Sequence, residues 1–312
     1  MQFSALFPGQ GSQSVGMLKE LSEAYPQVVG ATFAEAGSLL DYDLWRLIQE
    51  GPPEVLNRTQ FTQPAMLATG VAAWRVWRAA GGPPPAAVAG HSLGEFSALV
   101  AAGALDLAQA TRLVGLRGEI MQAAVPEGEG AVAAIVGLDA AGVAAACANA
   151  AQGQTVEPVN FNAPQQTVIA GHAEAVARAM QEARTGGAKH AVLLPVSVPV
   201  HSSLMGPAAQ RFAEHIDGLD LRMPDVPVVQ NVAAKACNSV EELRNTLRAH
   251  LDSSVLWSAS VLAMRAQTGD LFIEFGPGKV LAGLCRRIDR ALTAAGVDSP
   301  DGLQRALALV VE

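Results

Sequence analysis

Cysteine is scarce in this chain of 312 residues: three are present, Cys147, Cys237 and Cys285. Their odd number, their wide separation and the lack of metal-ligand spacing exclude a disulfide framework and a zinc site, and leave them as core or surface residues of a protein in a reducing compartment. Long apolar runs are missing too. None approaches the roughly 20 residues of a membrane span, and the start Met1-Gln2-Phe3-Ser4-Ala5-Leu6-Phe7 lacks the basic region of a signal peptide, so a cytosolic chain with no membrane partner is expected. Positive charge is in short supply. With 21 Lys and Arg against 29 Asp and Glu, the net charge of -8 argues against nucleic acid as the main partner, while a local basic patch could still recruit an acidic one.

Nucleotide-binding signatures are absent as well. The loop Pro8-Gly9-Gln10-Gly11-Ser12-Gln13-Ser14-Val15-Gly16 has Ser14 where a dinucleotide fingerprint needs its third glycine, and Met17 follows Gly16 where a phosphate loop needs lysine. Its glycines do let backbone amides approach another loop closely, which suits an oxyanion site at the carboxyl end of a sheet.

What is present is apolar material for a large core and a second, smaller one: half the residues are hydrophobic and 16% are charged. Phe3–Phe7 reads as a first strand, helical patterns fill about 17 to 80, and Ala86–Ala89 reads as a short buried strand leading to a helix over Glu95–Ala102. This alternation indicates an α/β domain with a parallel sheet, α/β-hydrolase-like in organisation. From about 127 the pattern changes: strand Ala131–Val136, helix Ala140–Ala151, strand Thr155–Phe161, strand Gln166–Ala170, helix Ala173–Gly186, strand His190–Pro195. That βαββαβ order is the ferredoxin-like arrangement. It predicts a small subdomain at 127-197, entered through Glu127-Gly128-Glu129-Gly130 and inserted into a large domain made of 1-126 plus 198-312.

The chemistry centres on Gly90-His91-Ser92-Leu93-Gly94, a Gly-x-Ser-x-Gly pentapeptide where a strand should meet a helix. A nucleophile elbow of this form exposes a serine hydroxyl and aims backbone N–H groups at an incoming carbonyl. By itself the pentapeptide is explained equally well by a serine capping a helix after a tight turn. Of the six histidines, His201 in Val200-His201-Ser202-Ser203 is the candidate base, since it lies in an element-terminal loop of the same domain as Ser92. His91 adjoins the serine but points away from it in such a turn, and His172, His190, His215 and His250 fall in the insert or on charged stretches. Arg117 interrupts the apolar face of the helix after the elbow. It faces a ligand anion or a buried acid, or else forms a salt bridge within the fold; as an anion ligand its guanidinium fork would match a carboxylate with two parallel hydrogen bonds.

Phe7-Pro8-Gly9-Gln10-Gly11-Ser12-Gln13, Thr62-Gln63-Pro64-Ala65, Gly90-His91-Ser92-Leu93-Gly94-Glu95, Arg117, Pro195-Val196-Ser197-Val198-Pro199 with His201, and Phe275-Gly276-Pro277-Gly278 together resemble the malonyl-CoA:acyl-carrier-protein transacylase family over nearly the whole chain. The resemblance implies that Ser92 and His201 carry out a two-step acyl transfer in fatty-acid synthesis, with malonyl-CoA as substrate, acyl carrier protein as partner and no tightly bound cofactor or metal. It implies an oxyanion held by the backbone N–H groups of Gln10 and Leu93, a malonyl carboxylate held by Arg117, Gln63 and Asn160 near the pocket, and a monomer. Two positions depart from the family pattern. Val200 stands where bacterial relatives commonly have serine and many malonyl-selective polyketide domains phenylalanine, which bears on tolerance for a branched malonyl group. His250 stands where glutamine is usual and where a backbone carbonyl orients the catalytic histidine, with the Asp252 carboxylate as the rival orienter. Lys279, Arg286, Arg287 and Arg290 are spaced to share one side of a helix, either as a docking face for an acidic carrier or as an ordinary solvated face. Other readings of the same motifs are a trans-acting acyltransferase of polyketide synthesis or malonate decarboxylation, a serine esterase or thioesterase, and a non-catalytic binding module.

Overall fold

In chain order, the strands among the described residues are Ser4–Phe7 (β1), Ala87–Gly90 (β2), Gly130–Val136 (β3), Val156–Ala163 (β4), Gln166–His172 (β5), His190–Leu193 (β6), Val228–Val229 (β7), Leu271–Phe275 (β8) and Thr293–Val297 (β9). The computed structural model describes residues 1–126, 128–196 and 198–311; Glu127 and Ser197, the first and last residues of the expected insert, lie outside them.

The strands form two sheets. The larger has the order β7-β2-β1-β8-β9, and every neighbouring pair in it is parallel. β1 and β2 are buried at every position, as strands covered by helices on both faces must be, and so they read as unbroken apolar runs rather than an alternation. The smaller sheet, β4-β5-β3-β6, is antiparallel throughout. Its elements follow the predicted order, with helices Ala140–Ala151 and Ala173–Thr185 between the strands. β6 stops at Leu193 rather than at the expected Pro195, since proline has no N–H for the ladder.

Each sheet has its own packing. Phe3, Phe7, Trp77, Phe96 and Phe275 belong to the large apolar cluster, and Ile135, Val143, Cys147, Ile169 and Val176 to a separate one under the small sheet. The free edge of β4 joins the two: Phe161 N donates to Val255 O at 2.9 Å, and Val255 N donates to Val159 O at 2.8 Å. This seam brings the end of β4 beside the turn after β2.

Among the described residues no helix is long and apolar enough to cross a membrane. The three cysteines are free, Cys147 and Cys285 in the core and Cys237 half-buried. The basic run at 279–290 is only partly helical. The helix spans Val280–Ile288, with Lys279 at its N-cap and Arg290 beyond its end, so the four cations do not share one helix face as their spacing predicts. Asp289 leaves the helix in extended conformation, and the Arg287 guanidinium turns to the side chain of Gln166 on β5.

Candidate active site

Ser92 sits in the turn between β2 and the helix Gly94–Ala101, with φ of 50°. His201 reaches it from the loop before the helix Gly206–Asp217, with φ of 70°. Left-handed backbone at a non-glycine residue costs on the order of 1–3 kcal/mol and persists only where the surroundings enforce it. Both strained residues meet, with Ser92 Oγ 2.8 Å from His201 Nε2. On the other side of the ring, His201 Nδ1 lies 3.0 Å from His250 O and 3.1 Å from Ser253 O. Carbonyl oxygens only accept, so Nδ1 carries the proton and Nε2 presents its lone pair to the serine hydroxyl. Asp252 is exposed and accepts no hydrogen bond from His201 among the described residues; the orienting groups are backbone.

Arg117 comes from the helix Leu107–Gln122, which Asp106 caps by accepting from Gln109 N at 2.7 Å. Its guanidinium is 1% exposed. Nη1 donates to Gln63 Oε1 at 2.8 Å, Nη2 lies 3.4 Å from Ser92 Oγ and 3.4 Å from His250 Nδ1, and Nε is buried without a partner among the described residues. Gln63 Nε2 in turn donates to Thr59 Oγ1, which donates to Gln10 Oε1, so one polar chain runs from Arg117 to the Gln10 loop. That loop lies against the elbow: a side chain at Gly9 would overlap the His91 carbonyl and come within 3.7 Å of Leu93 N. Among the described residues neither Gln10 N nor Leu93 N donates to an acceptor.

Burial dominates the electrostatics. It pulls the Arg117 pKa down to about 9, against the opposing effect of Glu95. His201 falls to about 3, first through desolvation and then through the nearby Arg117 charge. The imidazole is therefore neutral at physiological pH, the form in which it can accept a proton.

Residues 5–295 match the acyl transferase domain family. The chain is 53% identical over 308 residues to the malonyl CoA-acyl carrier protein transacylase of Escherichia coli (strain K12), covering 99% of this chain and 99% of the relative. The chain belongs to the malonyl CoA-acyl carrier protein transacylase family. The transacylase of Coxiella burnetii superposes with a TM-score of 0.97 at 47% identity, covering 100% of this chain and 98% of that one. A malonyl-transacylase solved in complex with a type II polyketide synthase acyl-carrier protein does so with a TM-score of 0.97 at 51% identity, covering 99% of this chain and 100% of that one.

In this transacylase-family site the structure brings together Ser92, His201, Arg117, Gln63 and His250, and sets Gln10 and Leu93 on facing loops. His250 is not on a solvated charged stretch as its neighbours predict: it is fully buried, its ring 5.2 Å from that of Phe96 and 5.7 Å from that of His201. Val200 is half-buried and packs on the large core. Asn160 bridges β4 to Val255, and its Oδ1 is buried without a partner among the described residues. It is Asn162, two positions on, that reaches the elbow, with Oδ1 2.8 Å from His91 Nε2. Sequence reasoning missed Asn162, Asn231 and the role of Glu95. Asn231 Oδ1 accepts from Ser92 N at 2.8 Å, and Glu95 Oε2 accepts from Asn231 N at 2.9 Å. Only Glu95 had a signal, as the residue that closes the elbow motif.

Proposed function

We propose that this chain moves the malonyl group from malonyl-CoA to the phosphopantetheine thiol of acyl carrier protein, for fatty-acid synthesis, through an ester on Ser92. The observation that carries the reading is the buried Arg117 guanidinium, its Nε without a partner among the described residues and its Nη2 3.4 Å from Ser92 Oγ. In a malonyl thioester the free carboxylate is two carbon–carbon bonds from the reacting carbonyl, so its cationic partner must lie close to the nucleophile.

In the first half-reaction Ser92 Oγ attacks the thioester carbon while His201 Nε2 takes the hydroxyl proton. The N–H groups of Gln10 and Leu93 face the developing oxyanion, each worth roughly 10²- to 10³-fold in rate. Collapse breaks the carbon–sulfur bond, and the CoA sulfur leaves with the proton held by His201. The carrier thiol then gives its proton to His201, attacks the malonyl ester and returns the hydroxyl to Ser92. A cleft of about 480 Å³, lined in part by Gln10, Arg58, Thr59 and Val198, opens beside the Gln10 loop and suits the pantetheine arm that both partners carry. No step calls on a metal or a bound cofactor.

We read residues 1-126 plus 198-312 as the α/β-hydrolase-like catalytic domain and 127-197 as an inserted ferredoxin-like subdomain. The strand order β4-β5-β3-β6 and the separate apolar cluster support that division. Ser92, His201 and Arg117 come from one chain, so a monomer suffices for the reaction, and a cytoplasmic setting supplies both thioesters. Mass spectrometry after incubation with malonyl-CoA and acetyl-CoA tests the reading. Malonyl on Ser92, discharged by holo acyl carrier protein, is expected. No adduct on Ser92, or release of free malonate faster than transfer to the carrier, would overturn it. Offering a fatty-acid carrier and a type II polyketide carrier side by side decides which thiol is served.

A further inference from the structure

The turn that carries Ser92 creates a local deficit in backbone hydrogen bonding. β7 pairs with β2 at Val88 and Ala89, and beyond them that edge of β2 has no strand partner among the described residues. The chain then enters left-handed backbone at Ser92. Two groups face this gap, the Gly90 carbonyl and the Ser92 N–H. One buried side chain satisfies both: Asn231 Nδ2 donates to Gly90 O at 2.7 Å, and Asn231 Oδ1 accepts from Ser92 N at 2.8 Å. A carboxamide offers a donor and an acceptor on one plane at any pH.

Asn231 is itself fixed. Glu95, in the first turn of the helix after the elbow, accepts from Asn231 N at 2.9 Å and from Asn231 Nδ2 through the same Oε2. Asn231 O accepts from Leu256 N at 2.9 Å. Asn231 and Glu95 are 2% and 1% exposed, so water does not compete for these bonds. The ring from Gly90 through Ser92 and Glu95 to Asn231 is closed, and apart from Ser92 none of its members hydrogen-bonds Arg117 among the described residues.

Resting on the acyl-transfer reading of the site, we propose that Asn231 is a positioning residue for Ser92: held by Glu95, its carboxamide keeps the strained elbow closed so that Ser92 Oγ meets His201 Nε2 and the Leu93 N–H stays free for the oxyanion. Misplacement of a nucleophile by about 1 Å costs on the order of 10²-fold in rate. Substrate affinity, set elsewhere in the site, stays as it was.

The test separates the two quantities. Single-turnover acylation by malonyl-CoA is followed by rapid quench in wild type, Asn231→Asp and Asn231→Ala, and the malonyl-CoA Kd is measured for each change on a Ser92→Ala background. Asn231→Asp keeps the size and the acceptor for Ser92 N–H but loses both donors. Acylation is expected to fall on the order of 10²-fold with the Kd within about threefold of wild type. Glu95→Asp, which leaves Asn231 in place and keeps an acidic group near Arg117 while drawing the carboxyl back from Asn231, is expected to show the same split at about tenfold, and it carries the test should substitution at 231 prevent folding. Acylation at the wild-type rate in the folded variants, or an equal loss of acylation and binding, overturns the positioning role. A wild-type protein that forms no malonyl-Ser92 overturns the acyl-transfer reading instead.

Discussion

At the scale of single residues, the role proposed for Arg117 is to decide between acyl groups. Burial lowers its pKa to about 9 even with the opposing charge of Glu95, so the free site already holds a desolvated cation, and in the proposed reaction a carboxylate is the ligand that completes it. An acetyl group leaves the guanidinium unpaired, at a cost on the order of 2–5 kcal/mol. Arg117→Ala is therefore expected to reduce malonyl transfer by about 10²-fold or more while changing the slow acetyl reaction far less, read from kcat/KM with the two thioesters. Equal losses would remove Arg117 from selection. The same charge also acts on the base, because Arg117 is the second cause of the depressed His201 pKa. In the proposed reaction a malonyl carboxylate paired with Arg117 would weaken that depression and strengthen the base in the presence of the right substrate. Ser92, His201 and Arg117 were legible in the sequence because a motif or an interrupted apolar face marks each. Asn231 and Asn162 were not, since they lie 139 and 71 positions from their elbow partners, and neither an asparagine in a loop nor one at the end of a strand carries a pattern. His250 misled because Arg248 and Asp252 beside it are charged, while the chain between them turns inward.

At the scale of elements, the elbow depends on close backbone approach more than on side chains. A Cβ at Gly94 would overlap the Phe7 carbonyl of β1, and one at Gly90 would overlap the backbone of Gly94. Neither neighbour can move without shifting the central strand or the helix. Gly115, inside the helix Leu107–Gln122, has nothing within 4 Å of its would-be Cβ. Gly94→Ala is expected to lower stability by more than about 2 kcal/mol and to abolish acylation, whereas Gly115→Ala should raise stability by about 0.4–1 kcal/mol. Urea midpoints for both would check the contrast, and a neutral Gly94→Ala would mean that the strand-to-helix turn tolerates a wider path. Periodicity located these elements to within a residue or two: the helix Ala140–Ala151 was read with its observed ends. It failed at the basic run, where a spacing compatible with a helix outlasted the helix itself. Asp289 departs from helical backbone, and its carboxylate accepts from Ala291 N at 2.9 Å, an interaction that spacing does not register.

For the whole molecule, the buried ionisable groups set how stability responds to acid. His91, His201 and His250 all titrate below the usual 6.5, chiefly through burial. As pH falls through 6.5 the unfolded chain binds protons on these rings that the folded chain refuses, so their effect is to lose stability toward acid. Glu95 and Glu274 work in the opposite direction. Burial raises both from 4.5 to about 7, so between those values the folded chain holds protons that the unfolded chain has released, and their effect is to gain stability as pH falls from 7 to 4.5. Three histidines against two carboxyl groups leave a net difference of about one proton near pH 5.5, or about 1.4 kcal/mol per pH unit, and the difference grows as the unfolded carboxyl groups take up protons toward 4.5. Below 4.5 the carboxyl groups are protonated in both states and the histidines act alone. The urea midpoint is therefore expected to decline gently from pH 6.5 to 4.5 and steeply below, with His250→Gln flattening the acid limb by removing one of the three rings. A midpoint that holds steady down to pH 4 would show that the imidazoles become charged in the folded state, among them His201, whose neutral form the proposed proton transfer from Ser92 requires.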